Sequence, residues 1–142
     1  MTPLERYVDF MQTVASFNLD TLGEFIADDV HFVDPFNDTR GLAHYRRIIE
    51  DMREQLEALD IDVLDSAMVA DDRALLRWRL SGKLTAFKGR SWSVEGCSMV
   101  HFNDAGQMKE HIDYWDAAGH LYESFPLIGG LLRKLRNRLA VR

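Results

Sequence analysis

Two periodicities divide the chain. Up to about residue 59 apolar side chains recur every three or four positions, as on one face of an α-helix; from about residue 61 they recur every second position, as on one face of a strand. The first helical stripe is Leu4, Tyr7, Val8, Met11, Val14 and Ala15. It carries a complete start signal, with Thr2 as N-cap, Pro3 at the first helical position and Glu5 closing a capping box. The spacing predicts this helix to about residue 17, where Asn18 interrupts it. Asp20 can cap a shorter helix to about residue 27, with Leu22, Phe25 and Ile26 inward. The run Val30-His31-Phe32-Val33-Asp34-Pro35 then reads as a strand with Val30, Phe32 and Asp34 on one face. Pro35 cannot donate to a ladder, which places Asp34 at a strand end or an edge. A polar loop over 37–41 leads to the longest predicted helix, about 43–59, with Tyr45, Ile48, Ile49, Met52, Leu56 and Leu59 as its stripe.

Strand candidates follow at 61–69, 74–84, 91–102 and 108–116, with turns at Asp71-Asp72, around Lys88-Gly89 and at Asn103-Asp104-Ala105-Gly106. Helices first and a meander of long strands afterwards predict an α+β domain with an antiparallel sheet. Residues 121–125 suggest a short helical turn ended by Pro126. A basic amphipathic helix follows, with Ile128, Leu131, Leu132, Leu135 and Leu139 as its stripe. Two readings fit this tail: a terminal helix docked on the sheet or on a partner subunit, or a helix with a membrane-surface or lid role. The expected division is a body over 1–125 and a tail helix over 126–142.

With 142 residues, 46% of them hydrophobic, the chain suits one domain with a real core. Its first residues show no basic stretch followed by an apolar run, and no segment approaches the ~20 apolar residues of a membrane span. Cys97 is the only cysteine, which excludes an internal disulfide and a Cys-based zinc site, and a cytoplasmic location is expected. The net charge of −6 is unevenly spread: from Pro126 onward there are Arg133, Lys134, Arg136, Arg138 and Arg142, and no acidic residue. The acidic body is a poor nucleic-acid binder, because phosphate contacts need clustered Lys and Arg. Only the tail suits an anionic surface.

Two strand ends concentrate ionisable groups beside aromatics. One is Asp34, in line with Val30 and Phe32. The other is Glu110-His111-Ile112-Asp113-Tyr114-Trp115-Asp116, where strict alternation puts Lys109, His111, Asp113 and Trp115 on one face. A carboxylate facing an apolar cavity loses hydration, which raises its pKa toward the range useful for proton abstraction. A neighbouring histidine can orient it, share its proton or donate to a substrate oxygen. Asp-Pro also merely starts turns, and a strand His-x-Asp can sit on a solvated face, so both readings stand at this level. Trp78 is either a pocket wall or a core or dimer-interface tryptophan. Met68, Trp92 and Met99 read as packing, and His31, His44, His101 and His120 as surface or structural. No histidine pair stands at ligand spacing beside a carboxylate, so no metal is expected.

The stretch Ala27-Asp28-Asp29-Val30-His31-Phe32-Val33-Asp34-Pro35-Phe36, followed by Arg40-Gly41 and a helix, resembles the SnoaL-like and ketosteroid-isomerase-like members of the nuclear transport factor two superfamily. So does Phe102-Asn103-Asp104-Ala105-Gly106-Gln107-Met108 with the last strand after it, and the resemblance covers roughly residues 4 to 125. It implies a cone-shaped, curved antiparallel sheet wrapped around N-terminal helices (a cystatin-like roll) and a homodimer formed through the sheet's outer face. Asp34 matches the base of the ketosteroid isomerases. Their first-helix tyrosine would fall near Phe10 or Gln12, and the acid of their fourth strand at about Ser98. Asp113 looks like the last-strand base of the polyketide-cyclase relatives. The epoxide-hydrolase pattern lacks its acid here, because the middle strand reads Arg77-Trp78-Arg79. Together these imply proton transfer on a hydrophobic carbonyl compound without a cofactor: Asp34 or Asp113 as base, His111 assisting, and Trp115, Trp78 and Phe32 against the substrate. The alternative is a non-catalytic ligand-binding or dimerisation module of the same fold.

Overall fold

The Glu5 N–H donates to the Thr2 hydroxyl at 3.1 Å and the Thr2 N–H to the Glu5 carboxylate at 2.9 Å, so helix α1 (Pro3–Gln12) starts where its capping box predicts. It stops short of residue 17. The Thr13 hydroxyl donates to the Asp9 carbonyl at 2.8 Å, and Val14 and Phe17 reach the core from the turn that follows. The expected second helix is a 3₁₀ segment, Leu19–Glu24, and strand β1 (Ile26–Val33) takes Ile26 and Ala27. The computed structural model describes residues 1–122 and 128–140. After β1 come β2 (Asp38–Arg40), α2 (Leu42–Gln55), β3 (Leu56–Met68), β4 (Arg73–Leu84), β5 (Arg90–Phe102), β6 (Met108–Tyr114), α3 (Ala117–His120) and α4 (Ile128–Leu139).

The strands form one curved, unclosed sheet in the order β2-β1-β6-β5-β4-β3. Its inner face packs Leu76, Trp78, Val94, Val100 and Met108 against Tyr7, Phe10 and Met11 of α1 and Tyr45 and Ile49 of α2. This is the expected α+β roll around N-terminal helices. Its pairings are antiparallel except one: β1 lies parallel to β6. The chain leaves β1 through β2, α2 and three long strands before it returns as β6, a crossover long enough for a parallel neighbour.

Two β-bulges correct the expected spacing. α2 ends at Gln55, and Leu56 and Leu59 are buried from β3 rather than from a helix. Ala58, at φ 52° in the left-handed region, sits where the register slips between Glu57 and Asp60, so two leucines three apart face the same way. In β6 the ladder runs from Phe102–Met108 to His101–Glu110 and skips Lys109. Met108 and His111 are therefore both buried, and Lys109, half-buried, has no partner in the ladder.

The predicted turn over 121–125 lies outside the described residues from Glu123 onward. α4 packs on α3, and no helix among the described residues is long and apolar enough to cross a membrane. On the outer face, His31 of β1 is held at both ring nitrogens: Nδ1 lies 2.9 Å from the Glu110 carboxylate and Nε2 lies 2.7 Å from that of Asp38. Glu110 first, and then Asp38, hold the imidazole above its usual range, while Arg40 opposes the rise. A histidine whose folded pKa is raised contributes stability below its unfolded value of about 6.5 and loses that contribution as pH climbs through the folded value. His31→Gln should therefore melt lower than wild type near pH 5.5, with the gap closing toward pH 8.5, and a pH series of thermal melts checks it.

Candidate active site

The concave face of the sheet and the two long helices enclose an open, largely apolar cavity of about 590 Å³. All six side chains expected at a site line it: Phe32, Asp34, Trp78, His111, Asp113 and Trp115. β1 supplies the first two from its C-terminal end. Beside it, Phe32 is paired with His111 and Val33 with Ile112, so one further step along each strand leads to Asp34 and Asp113.

His111 and Asp113 are members of a longer buried chain. Tyr45 Oη lies 2.9 Å from Tyr7 Oη, which lies 2.6 Å from His111 Nδ1. His111 Nε2 lies 2.5 Å from Asp113 Oδ1, the oxygen that also accepts from the Ser98 hydroxyl at 2.5 Å. Trp78 Nε1 donates to Ser98 Oγ at 2.7 Å. With His111 neutral and Asp113 a carboxylate, the donors run in one consistent order. Tyr45 donates to Tyr7 and Tyr7 to Nδ1; from the other ring nitrogen Nε2–H donates to Asp113, and Trp78 donates to Ser98, which donates to Asp113. Burial pushes the Tyr7 phenol well above its usual range, with Tyr45 adding to the rise, and burial does the same at Tyr45. Both phenols stay protonated donors. Among the described residues, Asp113 Oδ2 is left with no hydrogen-bond partner.

Asp34 shares the cavity but not this chain. Its Oδ1 accepts from the Phe36 N–H at 2.8 Å, the Asn37 N–H at 2.7 Å and the Asn37 side-chain amide at 3.0 Å. Burial raises its carboxyl above the usual range despite these donors, and the charge of Asp113 adds to the rise. The rim is aromatic: Phe36 meets Trp115 at 5.6 Å and Tyr122 at 6.1 Å between ring centroids, and Trp92 meets Trp115 at 5.9 Å. Phe36 is half exposed, and no residue of α4 lines the cavity.

Tyr7, Tyr45 and Trp92 escaped the sequence-based reading of the site. Tyr7 and Tyr45 passed as stripe residues, since a phenol in an apolar stripe looks the same whether its hydroxyl meets solvent or a histidine. The α1 tyrosine that joins the hydrogen-bonded chain is Tyr7, one turn before Phe10, which lines the cavity and packs against Phe17 and Phe25. Ser98 does occupy the expected place on β5, where it braces Asp113. Trp92, expected only to pack, lines the cavity. Met68 is exposed rather than packed, and Met99 is half-buried on the outer face. Among the described residues no group of three or more His, Cys, Asp or Glu side chains is placed to hold a metal ion.

The chain belongs to the SnoaL-like domain family, whose sequence profile matches residues 4–111. No curated protein matches it. Among solved structures it is similar to an NTF2-like protein of unknown function from an Exiguobacterium species (18% identity over 81% of this chain and 98% of that one, TM-score 0.69). It is also similar to a SnoaL-like polyketide cyclase of Agrobacterium tumefaciens (18% identity, 82% and 92% covered, TM-score 0.69). A third likeness is a protein of ketosteroid-isomerase-like fold from Catenulispora acidiphila in complex with trimethylamine (16% identity, 85% and 92% covered, TM-score 0.69). At these identities the likeness is one of fold.

One glycine holds the cavity wall in shape. Gly96 is paired with Trp78, and a Cβ there would stand 2.6 and 2.7 Å from the Trp78 ring and 2.9 Å from the Trp115 Cβ. The Trp78 ring has little freedom to retreat, because its N–H is tied to Ser98. Gly96→Ala should destabilise the fold by about 1–3 kcal/mol through overpacking, read from urea unfolding, and should change the tryptophan emission of the native state.

Proposed function

We propose that this protein is a cofactor-independent acid–base enzyme that moves a proton on a hydrophobic carbonyl compound, with Asp113 as the base. The observation that carries this reading is Asp113 itself, with one carboxylate oxygen braced by Ser98 and His111 and the other without a partner among the described residues, in a residue that lines an apolar cavity. In this scheme the free oxygen takes a proton from the carbon next to the substrate carbonyl. Asp34, whose carboxyl burial raises, is the second acid–base group of the scheme and faces the oxygen on which charge develops. Tyr45 and Tyr7 keep Nδ1 of His111 occupied, so that Nε2–H stays on Asp113. Trp115, Trp78 and Phe32 hold the apolar body of the substrate. One structural relative is a SnoaL-like polyketide cyclase, which supports this class of chemistry. The expected setting is the cytoplasm.

A homodimer through the outer face of the sheet belongs to the same proposal. Leu75, Met99, Ile112 and Val33 are successive cross-strand partners on β4, β5, β6 and β1, and Leu75 is 48% exposed. Leu75→Glu should convert a dimer to a monomer in light scattering, and a wild type that is already monomeric would remove this part of the reading.

The catalytic assignment is tested with a ketone ligand chosen by its shift of the melting temperature, followed by NMR of hydrogen–deuterium exchange at the carbon beside its carbonyl. Asp113→Asn should slow the enzyme-dependent exchange by roughly 10²–10⁴-fold and leave the melting temperature unchanged or higher. Asp34→Asn should slow it as well. Full exchange in the Asp113 variant would show that another group is the base. A ligand that shifts melting without any exchange would favour the binding-module reading.

A further inference from the structure

α4 turns an apolar side outward. Ile128, Leu131, Leu135 and Leu139 stand on one side of it and are 56%, 69%, 53% and 78% exposed. Toward α3, Gly129 is buried and Leu132 half-buried, and Leu132, Leu135, Arg136, Leu139 and Ala140 line a shallow concavity with Asp116, Ala118 and Gly119, so the outer stripe reaches the edge of the docked side. At 100° per residue, Lys134 and Arg138 border the exposed stripe on one edge. Over Ile128–Leu139 there are four basic side chains and no acidic one.

We infer that α4 is a membrane-surface helix that lies flat on an anionic bilayer, with its leucines in the acyl boundary and its cations among the lipid phosphates. Exposed leucines flanked by long basic side chains fit such a surface, because the aliphatic stems extend the apolar stripe while their charged ends reach the headgroups. Other occupants fit less well. A second copy docked stripe to stripe about a two-fold axis would bring two acid-free, basic helices together and repel. A nucleic acid would use the cations but leave the leucines in water. All acidic residues of the chain precede Pro126, so the same lipid surface that attracts α4 repels the body and leaves this helix as the contact. A helix of 12 residues inserts little apolar area, so charge and apolar contact are both needed and binding is reversible. α3 joins this helix to the cavity rim, where Trp92 Nε1 donates to the His120 carbonyl at 2.5 Å. A path for an apolar ligand from bilayer to cavity follows only if the proposed function holds; the bilayer contact itself does not depend on it.

The test is co-sedimentation of the full chain with phosphatidylcholine vesicles containing roughly one-third phosphatidylserine, and with phosphatidylcholine alone. The protein should pellet with the first, remain in solution with the second, and be released from the first by high salt. Lys134→Gln with Arg138→Gln should weaken binding roughly 25-fold, at about fivefold for each basic residue removed. Leu131→Glu with Leu139→Glu should abolish pelleting with an unchanged melting temperature, since both leucines are exposed. No pelleting with anionic vesicles, equal pelleting with neutral ones, or a leucine double variant that pellets like wild type would each overturn the inference. So would a leucine double variant whose native mass falls, because a second copy would then own this face. Pelleting involves no cavity residue, so its failure and the failure of the catalytic reading are separately visible.

Discussion

The parallel pairing of β1 with β6 is the constraint on which the site depends. Strands that run the same way bring their C-terminal ends together, and this register sets Phe32 beside His111 and Val33 beside Ile112. Asp34, just past β1, and Asp113, near the end of β6, then stand at the same end of the two strands and line one cavity. An antiparallel partner would have put the two carboxyls at opposite ends of the strands. The long crossover through α2 and the outer strands makes the pairing feasible, and it also wraps the sheet around the helices that supply Tyr7 and Tyr45.

Burying six polar side chains in a row is costly unless each finds a partner. Here they do, from Tyr45 at one end to Trp78 at the other, and the satisfied chain holds the His111 ring and the Asp113 carboxylate in one orientation. Asp34 is restrained differently, by the turn that Pro35 starts, and it meets the chain only through charge. Two carboxyls in one cavity under different restraint are an arrangement that can separate the roles of acid and base. The SnoaL-like fold hosts such a site without dictating its chemistry, which lies in the side chains.

Most elements were legible because their physics is local. The capping box of α1, the alternation of β1 and the period-two runs of β4 and β5 are each decided within a few residues. The misreadings have one main cause. A β-bulge makes residues three apart face the same way, which is also the signature of a helix; hence Leu56 and Leu59 read as helical, and strict alternation in β6 lines up Lys109 with His111 where the bulge sets Met108 beside it in the core. A bulge is stabilised by the neighbouring strand's ladder, and no pattern in the bulged strand announces it.

By itself the sequence determined the class of fold, the order of its main elements and six of the cavity's side chains, Phe32, Asp34, Trp78, His111, Asp113 and Trp115, because hydrophobic period, capping and turn chemistry act over short stretches of chain. Tertiary structure alone decided that β1 would lie parallel to β6, that Tyr7 and Tyr45 would reach His111, and that Ser98 would brace Asp113. Those contacts join residues 15 to 104 positions apart, and hydrogen bonds over such separations follow from how the sheet closes around the helices rather than from spacing along the chain.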